Sequence, residues 1–150
     1  MKKVLLMSLL CLWGVGMQGA DTSILDFGAH QNSVDNTKAI QAAIDSCALT
    51  GGGTVHIPSG TYLTSTIFLK SNVHLYLHGG SILKGVTDPK AYQGKAVVVG
   101  ENIRNASVRG EGCIDGQGNH QNFQFGDDKG RRPHVILFER CQNVQVKDVF

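Results

Sequence analysis

Hydrophobic and polar residues alternate along the middle of the chain, between residues 51 and 85. The alternation is carried by three short runs, Val55–Ile57, Thr66–Leu69 and Val73–Leu77, which turn-forming residues separate. In the third run the apolar side chains share one face and the polar side chains share the other. A period of two predicts half-buried strands. Strands this short bury a core only by stacking on similar strands, so this part of the chain is predicted to be all-β.

One segment, from Asp35 to Ala48, follows the period of an α-helix. Its apolar face comprises Ile40, Ala43, Ile44 and Cys47, and its polar face comprises Lys38, Gln41 and Asp45. Asp35 is predicted to cap the free amides of the first turn, and the triple glycine from residue 51 to end the helix. A helix with one apolar face, placed before a stack of strands, is suited to covering the open end of that stack.

Further strands are predicted towards the C-terminus. Residues 96–99, Ala-Val-Val-Val, form a fully apolar run, which indicates a strand covered on both faces. The predicted strand segments after it are 102–108, 112–118, 133–138 and 144–146, and the predicted loops are 87–94 and 119–132. No helical pattern follows residue 50.

An asparagine followed by an apolar residue recurs at Asn72, Asn102 and Asn143. The intervals differ, since 102 − 72 is 30 and 143 − 102 is 41. A regular solenoid would keep one period, so the chain is predicted to form coils joined by loops of variable length. Asparagine at a turn that enters a strand is explained by its tolerance of the left-handed conformation.

Several segments together carry a family resemblance: Asp26-Phe27-Gly28-Ala29, the helix start at 35–40, the run 51–55, and Ile114-Asp115-Gly116-Gln117-Gly118. From Asp26 to Phe150 the chain resembles the polygalacturonase-like glycoside hydrolases of family 28. The resemblance implies a right-handed parallel β-helix, of which this is the N-terminal portion with one capping α-helix. It also implies hydrolysis of a pectic polysaccharide, most simply α-1,4-galacturonan, with inversion and without a cofactor. A related rhamnogalacturonan hydrolase fits the resemblance equally well.

The family's catalytic motifs are Asn-Thr-Asp, Gly-Asp-Asp, Gly-His-Gly and Arg-Ile-Lys, and three of the four are absent here. Gly126-Asp127-Asp128 matches the second, but it lies in a polar loop ahead of the strands that should precede the catalytic coils. We interpret it as a solvated loop. The resemblance therefore implies no catalytic residue in this chain, with the catalytic aspartates downstream of Phe150 in a longer protein. The 150-residue chain alone is expected to be inactive, and its last strands, 144–150, to promote association through an unpaired edge.

Two other classes of protein share this scaffold. A pectate lyase or an epimerase is the first alternative, although the clustered carboxylates of a Ca²⁺ site are not visible before Phe150. A non-catalytic β-helical adhesin or carbohydrate-binding protein is the second. Its mark would be further coils without a carboxylate cluster.

Other polar residues have simple structural interpretations, and the substrate-binding residues stay unassigned. The histidines at 56, 74 and 78 lie on the polar face of strands and are predicted to face solvent or a covering loop, while His120 and His134 are isolated. No pair has the spacing of a zinc helix, so no metal site is predicted. Arg131 and Arg132 could attract an anionic sugar, but a structural role is favoured. The tyrosines at 62, 76 and 92 could stack on sugars, but they are too scattered to define a groove.

Residues 1–20 are predicted to be a signal peptide, which leaves a single domain, 21–150. Lys2-Lys3 precede an apolar stretch, 4–15, and Gly19-Ala20 offer a small-residue exit. An uncleaved anchor and a lipoprotein attached at Cys11 are the alternatives. Export to the periplasm or medium is expected, with no membrane span after signal removal.

The charge balance of the chain gives no reason to expect a nucleic-acid partner. The chain has 14 basic and 12 acidic residues; without Lys2 and Lys3 the basic count is 14 − 2 = 12, so the mature chain is neutral. Nucleic acid is therefore not expected as a partner.

Three cysteines remain after signal removal: Cys47, Cys113 and Cys141. Because their number is odd they cannot all pair with one another, and they are predicted to be free and buried.

Overall fold

A computed structural model describes residues 19–119, Phe123 and residues 132–150. Residues 1–18 of the predicted signal peptide, 1–20, lie outside the described residues. Within them are one α-helix and eleven strands: α1 (Thr37–Leu49), β1 (Thr22–Ser23), β2 (Gly53–Ile57), β3 (Gly60–Thr64), β4 (Ile67–Phe68), β5 (Val73–Leu77), β6 (Ser81–Gly85), β7 (Ala96–Glu101), β8 (Arg104–Gly110), β9 (Cys113–Asp115), β10 (His134–Glu139) and β11 (Gln142–Lys147). Two short 3-10 helices, Ile24–Phe27 and Pro89–Ala91, lie in connections.

The strands form three parallel sheets, and the chain visits the sheets in turn. Sheet 1 has the order β1-β2-β5-β8-β11, sheet 2 has β3-β6-β9, and sheet 3 has β4-β7-β10. Every strand pair is parallel. The chain therefore winds as a parallel β-helix, as predicted.

Aliphatic side chains stack in register between the coils. Val55 of β2 pairs with Leu75 of β5, which pairs with Val108 of β8, and all three are fully buried. On sheet 3, Ile67 pairs with Val98, which is also fully buried. Residues 96–100 of β7 are buried on both faces, which confirms the strand predicted from the apolar run. The core is thus a column of stacked aliphatic side chains.

Strands β3 and β6 were not predicted. Their inward positions include Thr64, Ser81 and Gly85, all of them buried, where a strand normally carries aliphatic residues. Each strand has only one large apolar residue at an inward position, Tyr62 in β3 and Leu83 in β6, which is too few to mark a strand in the sequence. Parallel pairing with neighbouring coils stabilises these strands instead.

The coils are of unequal length, as the irregular asparagine spacing predicted. Asn105 donates to Asn72 at 3.2 Å, 33 residues away, and Asn143 donates to Asn105 at 2.9 Å, 38 residues away. All three have a left-handed backbone, with φ of 63°, 53° and 51°. Asn102 is also left-handed, at 54°, but it lies outside this ladder and accepts a hydrogen bond from Arg140. The alignment of Asn102 with Asn72 and Asn143 was therefore wrong, because the ladder follows the register of sheet 1.

Helix α1 covers the N-terminal end of the coils. Its predicted apolar face, Ile40, Ala43, Ile44 and Cys47, is buried, and the helix contacts β1, β2, β4 and β5. The helix begins two residues later than predicted, yet Asp35 Oδ1 still accepts a hydrogen bond from the Thr37 amide at 2.8 Å. The residue directly before the helix, Asn36, is buried, and its Oδ1 atom accepts from the His30 amide at 2.9 Å.

Gln41 of α1 occupies the free edge of β4, the first strand of sheet 3. Its Oε1 atom accepts from the Phe68 amide at 2.7 Å, and its Nε2 atom donates to the Phe68 carbonyl at 3.0 Å. One side-chain amide therefore makes the two hydrogen bonds that a neighbouring strand would make. This contact blunts a sheet edge that would otherwise be open to pairing.

Replacing Gln41 with alanine tests this contact. The variant removes two hydrogen bonds to the Phe68 backbone, and we expect the free energy of unfolding to fall by about 1–3 kcal/mol, even though alanine is the better helix former. Urea denaturation measures the change. Lys38→Ala, at an exposed position of the same helix, is the control and should change stability by less than about 0.5 kcal/mol. Equal effects of both substitutions would contradict the edge-capping role.

Ser81 offers a second test of the core. Its hydroxyl is fully buried and has no hydrogen-bond partner among the described residues. An unpaired buried hydroxyl is unfavourable, so Ser81→Ala should raise the free energy of unfolding by about 1 kcal/mol. The matched variant is Ser107→Ala, because Ser107 Oγ lies 2.9 Å from His74 Nδ1. That variant should lower stability; a loss of stability in both would show that the Ser81 hydroxyl is paired.

Candidate functional site

Polar side chains line the outer face of sheet 1. In register across four neighbouring strands are His56 of β2, Tyr76 of β5, Arg109 of β8 and Lys147 of β11. His56 and Tyr76 are half-buried, whereas Arg109 and Lys147 are exposed. Neighbouring strands lie about 4.8 Å apart. The four residues, which we call the outer row, therefore run along the axis of the β-helix.

Three rings cluster at the N-terminal end of the outer row. His56 Nδ1 and His78 Nε2 are 2.9 Å apart, a hydrogen bond between two imidazoles. The His56 and His78 ring centroids are 5.1 Å apart, and Tyr76 packs edge-on against His78 at 4.9 Å. These histidines were predicted simply to face solvent or a loop. They do lie on the outer face, and they are also half-buried against one another. Their spacing of 22 residues did not reveal this contact, because the contact depends on the register of β2 and β5.

An open cleft of about 600 Å³ borders this ring cluster. His56 and His78 line it, together with Asp21, Ser23 and Asp26. Asp21 Oδ2 is 4.0 Å from His56 Nε2, while Asp21 Oδ1 accepts from the Thr54 amide at 3.2 Å. The cleft is therefore lined by imidazole nitrogens and carboxylate oxygens, with Asp21 beside His56.

His74 lies on the same outer face, one alternation before Tyr76. Its Nδ1 atom is hydrogen-bonded to Ser107 Oγ. Burial, and secondarily the positive charge of Arg109, lower the pKa of His74 below its usual 6.5. His74 is therefore neutral at neutral pH, so Arg109 and Lys147 carry the positive charge of this part of the outer face.

Two of the three tyrosines considered for sugar stacking belong to the core. Tyr62 is 1% exposed and Tyr92 is 9% exposed. Tyr92 donates to the Val86 carbonyl at 2.6 Å, and burial together with the charge of Asp115 raises its pKa to about 12. Only Tyr76 is placed on the outer face. The burial of Tyr62 and Tyr92 agrees with the interpretation that the three tyrosines do not define a groove.

The remaining sequence candidates are accounted for as follows. Gly126-Asp127-Asp128, His120 and Arg131 lie outside the described residues, whereas Arg132 and His134 are exposed. The three cysteines are free, as predicted, but only Cys47 is buried; Cys113 and Cys141 are half-buried. Burial, and secondarily Asp21, raise the pKa of the Cys47 thiol.

The outer face of sheet 1 is the part of the described structure best suited to bind a ligand. No group of three or more His, Cys, Asp or Glu side chains that could hold a metal occurs there. Nor does any helix in the described ranges have the length and apolar character needed to cross a membrane. What the outer face does offer is ring surfaces, imidazole nitrogens and two exposed cations. These groups suit the recognition of a sugar polymer by stacking, hydrogen bonds and charge pairing.

A protein-family model matches most of the chain. Residues 22–149 match "Rhamnogalacturonase A/epimerase, pectate lyase-like". The chain belongs to this family. The match covers nearly all of the described residues, from β1 to the end of the last strand. It confirms the resemblance to pectin-degrading β-helix enzymes that the sequence motifs indicated.

Among curated proteins, a probable polygalacturonase of Vitis vinifera is 26% identical over 160 residues, covering 90% of this chain and 33% of the relative. A probable endo-xylogalacturonan hydrolase A of Aspergillus flavus is 32% identical over 124 residues, covering 77% of this chain and 30% of the relative. The chain therefore spans about a third of the length of these relatives.

Solved structures agree on the fold. The exopolygalacturonase of Thermotoga maritima superposes with a TM-score of 0.78 at 24% identity, over 88% of this chain and 41% of that one. The surface adhesin PfbA of Streptococcus pneumoniae superposes with a TM-score of 0.66 at 27% identity, over 87% and 33%. The fold is thus a right-handed parallel β-helix that is shared by hydrolases and by an adhesin.

The neutral state of His74 predicts a dependence of stability on pH. The unfolded chain binds a proton at His74 near pH 6.5 and the folded chain does so only at lower pH, so acidification through 6.5 removes stability. In His74→Gln this contribution disappears. The stability of the wild type relative to the variant should therefore decrease between pH 7.5 and pH 5.5, as measured by urea denaturation. Parallel pH profiles of the two proteins would contradict the assignment.

Proposed function

We propose that this chain is the N-terminal part of an exported glycoside hydrolase of the polygalacturonase type. The substrate is α-1,4-galacturonan or a related pectic polysaccharide, which is hydrolysed with inversion. Residues 1–20 direct export, and residues 21–150 begin the β-helical catalytic domain. No cofactor takes part.

The observation that carries the proposal is the family match over residues 22–149, together with the pectic names of the two relatives that cover most of the chain. Both relatives are about three times longer than the matched region. In this proposal the coils that follow stack on β9, β10 and β11 and supply the catalytic aspartates. Residues 21–150 nucleate and cap the stack.

Hydrolysis with inversion sets a geometric demand on those later coils. One carboxylic acid protonates the leaving oxygen, and a second carboxylate activates water on the opposite face of the sugar, with about 6.5–9.5 Å between the two groups. In a parallel β-helix neighbouring coils are about 4.8 Å apart and next-nearest coils about 9.6 Å. The required separation lies between these two spacings, so two carboxylates on adjacent coils reach it when they are also offset along the strands.

The proposal is tested with the full-length protein that carries this sequence. Incubation with polygalacturonate should release saturated reducing ends. Unsaturated products would indicate a lyase, and a changed sugar configuration without chain shortening would indicate an epimerase. The epimerase outcome is assayed directly because the family model that matches residues 22–149 is named for a hydrolase and an epimerase.

The 150-residue chain alone gives a complementary prediction. Because the proposal places every catalytic aspartate downstream, this chain should release reducing ends from polygalacturonate no faster than a blank. The assay is the same as for the full-length protein, at equal molar concentration. Activity well above the blank would show that residues of this chain, such as Asp127 or Asp128, act catalytically.

A further inference from the structure

We propose that the outer row, together with the cleft beside His56 and His78, is an accessory binding strip for an acidic polysaccharide chain. The strip lies on sheet 1 and consists entirely of residues in this chain, whereas the proposed catalytic aspartates lie elsewhere. The choice of an acidic pectic polymer as the occupant rests on the proposed function. The existence of the strip rests on the geometry alone.

The direction of the strip fits an extended polymer. His56, Tyr76, Arg109 and Lys147 are paired in register on successive strands, so three strand spacings of about 4.8 Å separate the first from the last. The strip thus extends about 14 Å parallel to the β-helix axis. Such a length accommodates several consecutive sugars of one chain.

The chemistry changes along the strip in a way that suits an anionic sugar. Tyr76 and the two histidines present rings on which the apolar face of a sugar can pack. Arg109 and Lys147 follow as exposed cations, and guanidinium pairs well with carboxylate. Lys147 is 3.7 Å from Asp148, but this exposed pair is weak and can exchange for a polymer carboxylate.

The cleft adds hydroxyl recognition at the N-terminal end. The carboxylates of Asp21 and Asp26 would repel a uronate carboxylate, yet they accept hydrogen bonds from sugar hydroxyls. The polymer therefore places hydroxyls against the cleft and carboxylates against Arg109 and Lys147. This arrangement distinguishes an acidic polymer from a neutral one, because a neutral chain uses only half of the strip.

The test measures binding to polygalacturonate separately from catalysis. Affinity electrophoresis in the cold gives the dissociation constant of the full-length protein, and hydrolysis of a short oligogalacturonide, too short to span both sites, gives the catalytic rate. In the double variant Arg109→Gln/Lys147→Gln, binding should weaken roughly tenfold with an unchanged rate on the short substrate. Tyr76→Ser should also weaken binding. Thermal melting confirms that each variant is folded.

Arg104→Gln/Lys95→Gln is the matched control. Both residues are exposed and lie outside the strip, and their substitution removes the same amount of charge. Its binding should equal that of the wild type. Wild-type binding should also weaken at about 1 M salt, where charges are screened beyond about 3 Å, and neutral dextran should bind poorly. Equal losses in both double variants, wild-type affinity in the Arg109/Lys147 variant, or no binding by the wild type would each overturn the strip. Binding without hydrolysis would leave the strip intact and remove the proposed function.

Discussion

Successive coils of this chain pair in parallel and in register, and the placement of the other side chains follows from that pairing. Because a residue in one coil lies directly beneath its partner in the next, like side chains accumulate in columns. Val55, Leu75 and Val108 form such a column inside the β-helix. Asn72, Asn105 and Asn143 form another where the strands of sheet 1 begin, and their side-chain amides join the coils. The same register outside the helix creates the outer row. One geometric rule thus organises the core, the turns and the candidate binding surface.

A stack of coils has open ends, and the N-terminal end is closed by two devices. The apolar face of α1 covers the buried column, so that Ile40 and Ile44 continue the core beyond the first strands. Gln41 meanwhile satisfies both backbone groups of Phe68 at the edge of sheet 3. A helix alone would cover the apolar core and leave this strand edge unpaired. The combination protects a sheet edge and a hydrophobic core with one segment of 13 residues.

The sequence predicted the parts of this fold that follow simple periodicity. Alternation revealed β2 and β5, the apolar run revealed β7, and the helical period revealed α1. It missed β3 and β6, because Thr64, Ser81 and Gly85 occupy buried positions where aliphatic residues were expected. The contact between His56 and His78 was also missed. Both residues were recognised as outward-facing, but their proximity depends on the register in which β2 pairs with β5. Because the loops differ in length, sequence spacing alone does not predict that register.

The configuration of the first product distinguishes the proposed inverting hydrolase from the alternatives on the same scaffold. The full-length protein should be mixed with oligogalacturonides and followed by proton NMR from the first minutes, before the anomers equilibrate. An inverting hydrolase acting on α-linked galacturonate predicts that the β anomer of a saturated product appears first. An α anomer first, an unsaturated product, or no shortening of the chain would contradict the assignment of this β-helix to an inverting pectic hydrolase.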